Sequence, residues 1–320
     1  MNSRLYLKKL FLLFGVVFLL ASGYVYSFSS QYPLPVTSRI SFDAKIKFIR
    51  EHIDVNKIDT IIVGSSIGLN NVNGVALQKA CRSCKGVLNL SVYEASPVQA
   101  EQLLELTDFF PNLKRVVYSA QFSDFQHASS FRDYHAKTIG KYLSHTLNPA
   151  SEAKLIFNAS KNLPFLMKRA ETWEKKHTRS NLFTYLGFDE SGSVPLEIYG
   201  KDIIQHRWKN PHGSLHIGKA FDALDRLSQR LHHKGIRFYF VQQPYRQPLI
   251  KKYPHVKAEL EWFLHKVTGI VSKHGGEVLS LYRTLPLSDK YFADRSHLNK
   301  EGSIIGSEAI GKFIDSKEQP

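Results

Sequence analysis

The chain has 320 residues, 43% of them apolar and 22% charged, a balance that supports a sizeable folded core and excludes a disordered chain. Its formal net charge is +15, and the basic residues are scattered rather than gathered in one run. No zinc-finger, RRM or basic-helix signature accompanies them. That disfavours nucleic acid and leaves a solvated basic surface, or attraction to an anionic polysaccharide or phospholipid headgroup.

Residues 1–9 carry Arg4, Lys8 and Lys9, and the mostly apolar stretch 10–28 is long enough to cross a bilayer. Basic residues ahead of such a span predict a cytoplasmic tail over 1–9 and an extracytoplasmic, periplasmic remainder. A cleaved signal peptide is the alternative, with small residues in Leu20-Ala21-Ser22-Gly23. The apolar run continues through Tyr24, Val25, Tyr26 and Phe28, which favours an uncleaved anchor in the inner or plasma membrane. The stretch contains no cysteine, which excludes lipoprotein processing. Residues 29–40, with Pro33 and Pro35, read as an extended linker ahead of a domain over 41–320.

Within that domain apolar runs of strand length alternate with helical patterns. A helix over 41–52 precedes a strand over 60–63, then come a helix over 72–80, a strand over 86–92, a helix over 98–110 and a strand over 115–119. The rhythm resumes with a helix over 215–233, closed by Lys234-Gly235, and a strand over 236–242. A helix over 254–274, a strand over 277–281 and a last helix over 300–314 complete it. Right-handed crossovers then predict an α/β three-layer sandwich with a mostly parallel sheet. Cys81 and Cys84 are the only cysteines. Two thiolates supply half the ligands of a structural zinc site, so in an oxidising compartment a disulfide between them is expected.

Residues 126–210 break the alternation and read as a helical insertion forming a cap or groove over the strand ends. Its Trp173, Tyr185, Phe188 and Trp208 are available either to stack on sugar rings or to fill the insertion's own core. His206, His212 and His216 lack a partner at ligand spacing and read as surface histidines; neither a metal nor a cofactor is implied.

Two distant segments carry the chemistry. The buried strand Ile61-Ile62-Val63 runs into the small-residue turn Gly64-Ser65-Ser66, which places a serine hydroxyl at the C-terminal end of a strand, where open α/β sheets bind ligands. Far along the chain, Asp294 and His297 stand three positions apart before a helix start, so both can face one crevice. Serine, histidine and aspartate together make an activated nucleophile, with Ser66 as nucleophile and Ser65 as the alternative, His297 as base and Asp294 orienting the imidazole.

With these two motifs, the chain resembles the SGNH (GDSL-like) hydrolase and acyltransferase superfamily over residues 40–315. Its nearest likeness is to membrane-anchored members with Gly-Ser-Ser, such as the D-alanine transfer protein of teichoic acid modification and alginate O-acetyltransferase-like proteins. The resemblance implies serine-dependent acyl transfer on a cell-envelope glycan, as O-acyltransferase or esterase, and a multi-pass membrane acyltransferase as partner. It also implies an oxyanion hole containing a glycine near Glu94 and an asparagine near Gln121. This chain has Glu94-Ala95 and Gln121 instead, which leaves the Ser66 N–H, Asn89 and Gln121 as oxyanion candidates. Those departures motivate a second reading, a catalytically silent scaffold that binds polysaccharide or an envelope assembly partner.

Overall fold

The computed structural model describes residues 3–178, 184–203 and 218–318. Five short runs rich in β-branched and aromatic residues form the sheet: β1 (Thr60–Gly64), β2 (Val87–Asn89), β3 (Arg115–Ala120), β4 (Arg237–Gln242) and β5 (Glu277–Ser280). They pair in the order β2-β1-β3-β4-β5, all parallel. Parallel neighbours need crossovers, and helices supply them. The helices are α1 (Ser3–Gln31), α2 (Ile40–His52), α3 (Ser66–Asn71), α4 (Gly74–Ala80), α5 (Pro97–Leu103), α6 (Ala136–Leu143), α7 (Pro149–Ser160), α8 (Leu163–Lys176), α9 (Gly218–His233), α10 (Gln247–Lys252), α11 (Pro254–Lys273), α12 (Leu281–Thr284) and α13 (Lys300–Glu318).

Alternation along each strand sorts its side chains between two cores. Ile61, Val63, Val116, Tyr118, Phe238 and Phe240 face one side, where α2, α5, α9 and α11 pack. Ile62, Val117, Tyr239 and Val241 face the other, against Leu77 of α4 and Ile310 and Ile314 of α13. The result is the three-layer α/β fold that the alternating pattern predicts. Chain direction across the sheet reverses between β1 and β3, so their C-terminal ends open a crevice rather than being bridged by a crossover. At the opposite end, Arg115 donates to both Glu318 carboxylate oxygens at 2.6 Å and sits 3.3 Å from Asp59, tying the end of α13 to the sheet.

Two expectations need correction. Residues 29–40 are not a free linker: α1 runs on to Gln31, and Leu34, Val36 and Thr37 are buried. Tyr24 Oη and Ser160 Oγ lie 3.0 Å apart, and Tyr32 donates to Glu174 at 2.6 Å, so the end of α1 and the segment after it rest on α7 and α8.

Among the described residues, the insertion is not built as a cap over the strand ends. Its helices pack beside α1 and α2, where Arg169 of α8 meets the buried Asp43 carboxylate at 2.5 Å. The returning loop covers the edge of the sheet: Asn89 N donates to Ser191 O at 2.7 Å, and the buried Lys45 ammonium donates to Asn89 O and Gly192 O beneath the Phe188 ring. This is a common solution for an otherwise unpaired edge strand.

Trp173, Tyr185 and Phe188 are partly buried and pack against Leu186, Val194 and Tyr93, and Trp173 and Phe188 also line a cavity of about 470 Å³. Trp208, His206, His212 and His216 lie outside the described residues. Cys81 and Cys84 are joined by a disulfide just after α4.

Candidate active site

The turn after β1 depends on Gly64. A Cβ there would come within 2.3 Å of the Ser119 carbonyl oxygen on β3, so only glycine lets β1 end this close to its neighbour. The next two residues then take separate tasks. Ser65 is buried and is the N-cap of α3: its Oγ accepts from Ile67 N at 3.0 Å. It also hydrogen-bonds the Asp124 carboxylate, whose pKa burial pushes up. Ser66, the first residue of the helix, is partly exposed, and its Oγ lies 2.9 Å from His297 Nε2.

The imidazole is oriented from behind. His297 Nδ1 lies 2.9 Å from Asp294 Oδ2, and an ionised carboxylate only accepts, so Nδ1 carries the proton and Nε2 is left to accept from Ser66. Asp294 Oδ1 accepts from the backbone of Ser296 at 2.8 Å and of His297 at 2.7 Å, closing the loop on itself. Burial alone would raise the pKa of Asp294, but His297 and these two N–H groups hold it down to about 2. The chain therefore presents a fixed carboxylate, an oriented imidazole and a hydroxyl in line, the geometry of a serine activated for attack.

Two buried amides fix the histidine loop. Asn71, at the end of α3, donates to Ser296 O at 2.9 Å and accepts from Leu298 N at 2.8 Å, gripping the backbone on both sides of His297. Gln121 donates to Ser296 O at 3.2 Å and to Pro244 O at 2.9 Å. The sequence reading missed Asn71, since one Asn in a short polar helix carries no pattern.

Asn89 and Gln121 are not oxyanion donors. Both N–H groups of Gln121 are spent on those carbonyls, and the Asn89 amide donates to Gly68 O, Val72 O and Ser193 Oγ at 2.9 to 3.1 Å. Ser66 fares differently, because its N–H at the first helical position has no acceptor within the helix. Glu94 borders the same crevice, and no described group accepts from its N–H. Glu94 takes the left-handed conformation, φ 58°, which glycine adopts without strain and which costs another residue about 1–2 kcal/mol. Arg39 holds it there, donating to Glu94 O at 3.3 Å and standing 3.7 Å from its carboxylate. The turn for which a glycine is expected thus keeps a glycine-like backbone.

The crevice above Ser66 has a volume of about 400 Å³ and is lined by polar side chains, among them Arg39, Ser123, His127 and Arg295. None of the described insertion residues beyond His127 reaches it. Among the described residues, no group of three or more His, Cys, Asp or Glu is placed to hold a metal ion. Compared with known proteins, the chain matches no protein-family model and no curated protein.

Proposed function

We propose that the protein is a membrane-anchored serine acyltransferase or esterase that acts on a cell-envelope glycan. The observation that carries this reading is the line Ser66 Oγ to His297 Nε2 to Asp294, with two contacts of 2.9 Å, at the point where the sheet reverses direction. Ser66 Oγ attacks the acyl carbonyl while His297 Nε2 takes its proton, and Asp294 stabilises the imidazolium. The Ser66 and Glu94 N–H groups receive the oxyanion. Collapse of the tetrahedral intermediate breaks the bond to the leaving oxygen, which takes the proton from His297 and leaves an acyl-serine. His297 then takes the proton of an acceptor hydroxyl, from water in an esterase or from a sugar in a transferase, the acceptor oxygen attacks the acyl-serine, and the acyl bond to Ser66 Oγ breaks as His297 returns the proton to it.

The resemblance to the SGNH superfamily supports the same assignment, and α1, whose stretch Tyr6–Gln31 is long and apolar enough to cross a membrane, supports the anchoring. Arg39 and Arg295 line the crevice beside Glu94 and Asp124, and the net charge of +15 over the chain favours an anionic polysaccharide. In the transferase form the acyl donor comes from a multi-pass membrane acyltransferase, and the active domain is periplasmic.

One observation favours the second reading, a silent scaffold that binds the polysaccharide: the amides of Asn89 and Gln121 are both spent on other acceptors and do not serve the oxyanion. Comparing acyl esters on the surface glycan of cells carrying wild type and Ser66→Ala, at equal protein level, decides between them. The enzyme reading predicts a changed ester content in the variant. Unchanged esters together with intact polysaccharide binding would establish the scaffold.

A further inference from the structure

We propose that the turn between α7 and α8 is a second membrane contact, seated in the interfacial layer of the bilayer leaflet from which α1 emerges. This rests on α1 being a transmembrane anchor. Outside α1, the exposed large apolar side chains of the described residues are Phe157, Leu163, Met167, Tyr199 and Trp262, and the first three belong to this one hairpin. Apolar side chains clustered in this way mark a contact surface rather than the scatter found on any soluble protein.

What covers them follows from the neighbouring helix. The apolar stretch Tyr6–Gln31 has 26 residues, about 39 Å at about 1.5 Å per residue, against a hydrocarbon core of about 30 Å. With Lys8 and Lys9 at one boundary, the other falls about 20 residues further on, near Ser29. Tyr24 then lies inside that far boundary by about one and a half helical turns. Yet Tyr24 is in contact with the hairpin: its ring centroid is 6.2 Å from that of Phe157, and its hydroxyl is 3.0 Å from Ser160 Oγ. A hairpin fastened at this depth stands among lipid headgroups and the upper acyl chains.

Its chemistry suits that layer. Phe157, Leu163 and Met167 are 44%, 55% and 63% exposed. Lys154, Lys161 and Lys168 are exposed around them, with long stems that let ammonium groups reach anionic phosphates while apolar neighbours go deeper. Aromatic and basic residues at a membrane boundary are the usual anchors of orientation. Two attachments, α1 and the hairpin, stop the domain from swivelling and fix which way its catalytic crevice faces.

The test uses full-length protein in liposomes that contain phospholipids brominated on their acyl chains. The single substitutions Leu163→Cys, Met167→Cys and, as control, Lys312→Cys at an exposed position on the opposite layer of the sheet each carry a bimane fluorophore; the native cysteines are already bonded to each other. The expected result is at least twofold stronger quenching at Leu163 and Met167 than at Lys312. Quenching no greater than at Lys312, in protein that resists carbonate extraction, overturns this inference and leaves the anchor standing. Release of the protein by carbonate overturns the anchor and the inference with it.

Discussion

Truncating Asn71 to alanine tests whether the reactive geometry is held by the amide grip described above. Asn71 is completely buried. Its loss strands the Leu298 N–H, worth about 1–3 kcal/mol for an unsatisfied buried donor. Ser296 O keeps the Gln121 bond at 3.2 Å, so losing its second donor costs only the net value of one bond, about 0.5–1.5 kcal/mol. The predicted destabilisation is therefore about 1.5–4.5 kcal/mol, measured by denaturant unfolding of the detergent-solubilised protein. Reactivity is the more telling readout. A freed loop lets His297 drift from Ser66, and a displacement of about 1 Å in a catalytic group costs about a hundredfold in rate. The assay is the rate of fluorophosphonate labelling of the folded variant, with near-ultraviolet circular dichroism to establish folding. A destabilised Asn71→Ala that labels at the wild-type rate would show that the loop is held by other means and refute the positioning argument.

Three further outcomes are expected. Ser65→Ala loses a helix N-cap and a partner of Asp124, so it is predicted to unfold with about 1–2 kcal/mol less stability yet keep its labelling on Ser66; loss of labelling would reassign the nucleophile. Arg169→Ala leaves the Asp43 carboxylate buried beside only Thr37, which is predicted to cost about 3–5 kcal/mol, and a variant as stable as wild type would refute the ion pair. Glu318→Gln tests a pH dependence. Burial opposes ionisation there, but Arg115, Arg237 and Tyr239 hold its pKa down to about 2, below the 4.5 of the free group. A depressed carboxyl pKa adds stability above the unfolded value and loses it as pH falls toward the folded one. Glu318→Gln is therefore predicted to be less stable by about 2–3 kcal/mol at pH 7, with the gap closing between about pH 4.5 and 2. A gap that stays constant across that window would contradict the assignment.

Much of this architecture was legible in the residues because burial on both faces forces strands such as Ile61–Val63 and Val116–Tyr118 into unbroken apolar runs. The Ser, Asp and His were legible for a different reason: each stands at a strand end or helix start, where local spacing fixes the direction of a side chain. Less could be read where tertiary partners decide. Ser65 and Ser66 look alike in sequence, and only the demand of α3 for an N-cap, met by Ser65, leaves Ser66 facing His297. Asn89 and Gln121 carry amides suited to an oxyanion, but nearby backbone carbonyls claim their protons. The stretch 29–40 has the proline content of a linker, yet Leu34 and Val36 are buried in the larger hydrophobic core. Glu94 reads as a departure from glycine, and the contact from Arg39 that holds its backbone left-handed comes from 55 residues away.

The central claim is that Ser66 is a nucleophile activated by His297, and mapping the fluorophosphonate adduct on the full-length protein by peptide mass spectrometry tests it most directly. A single adduct is expected, on Ser66, formed about a thousandfold or more slowly in His297→Gln. A folded wild-type protein that takes no adduct, or an adduct on Ser66 that forms equally fast without His297, would contradict it.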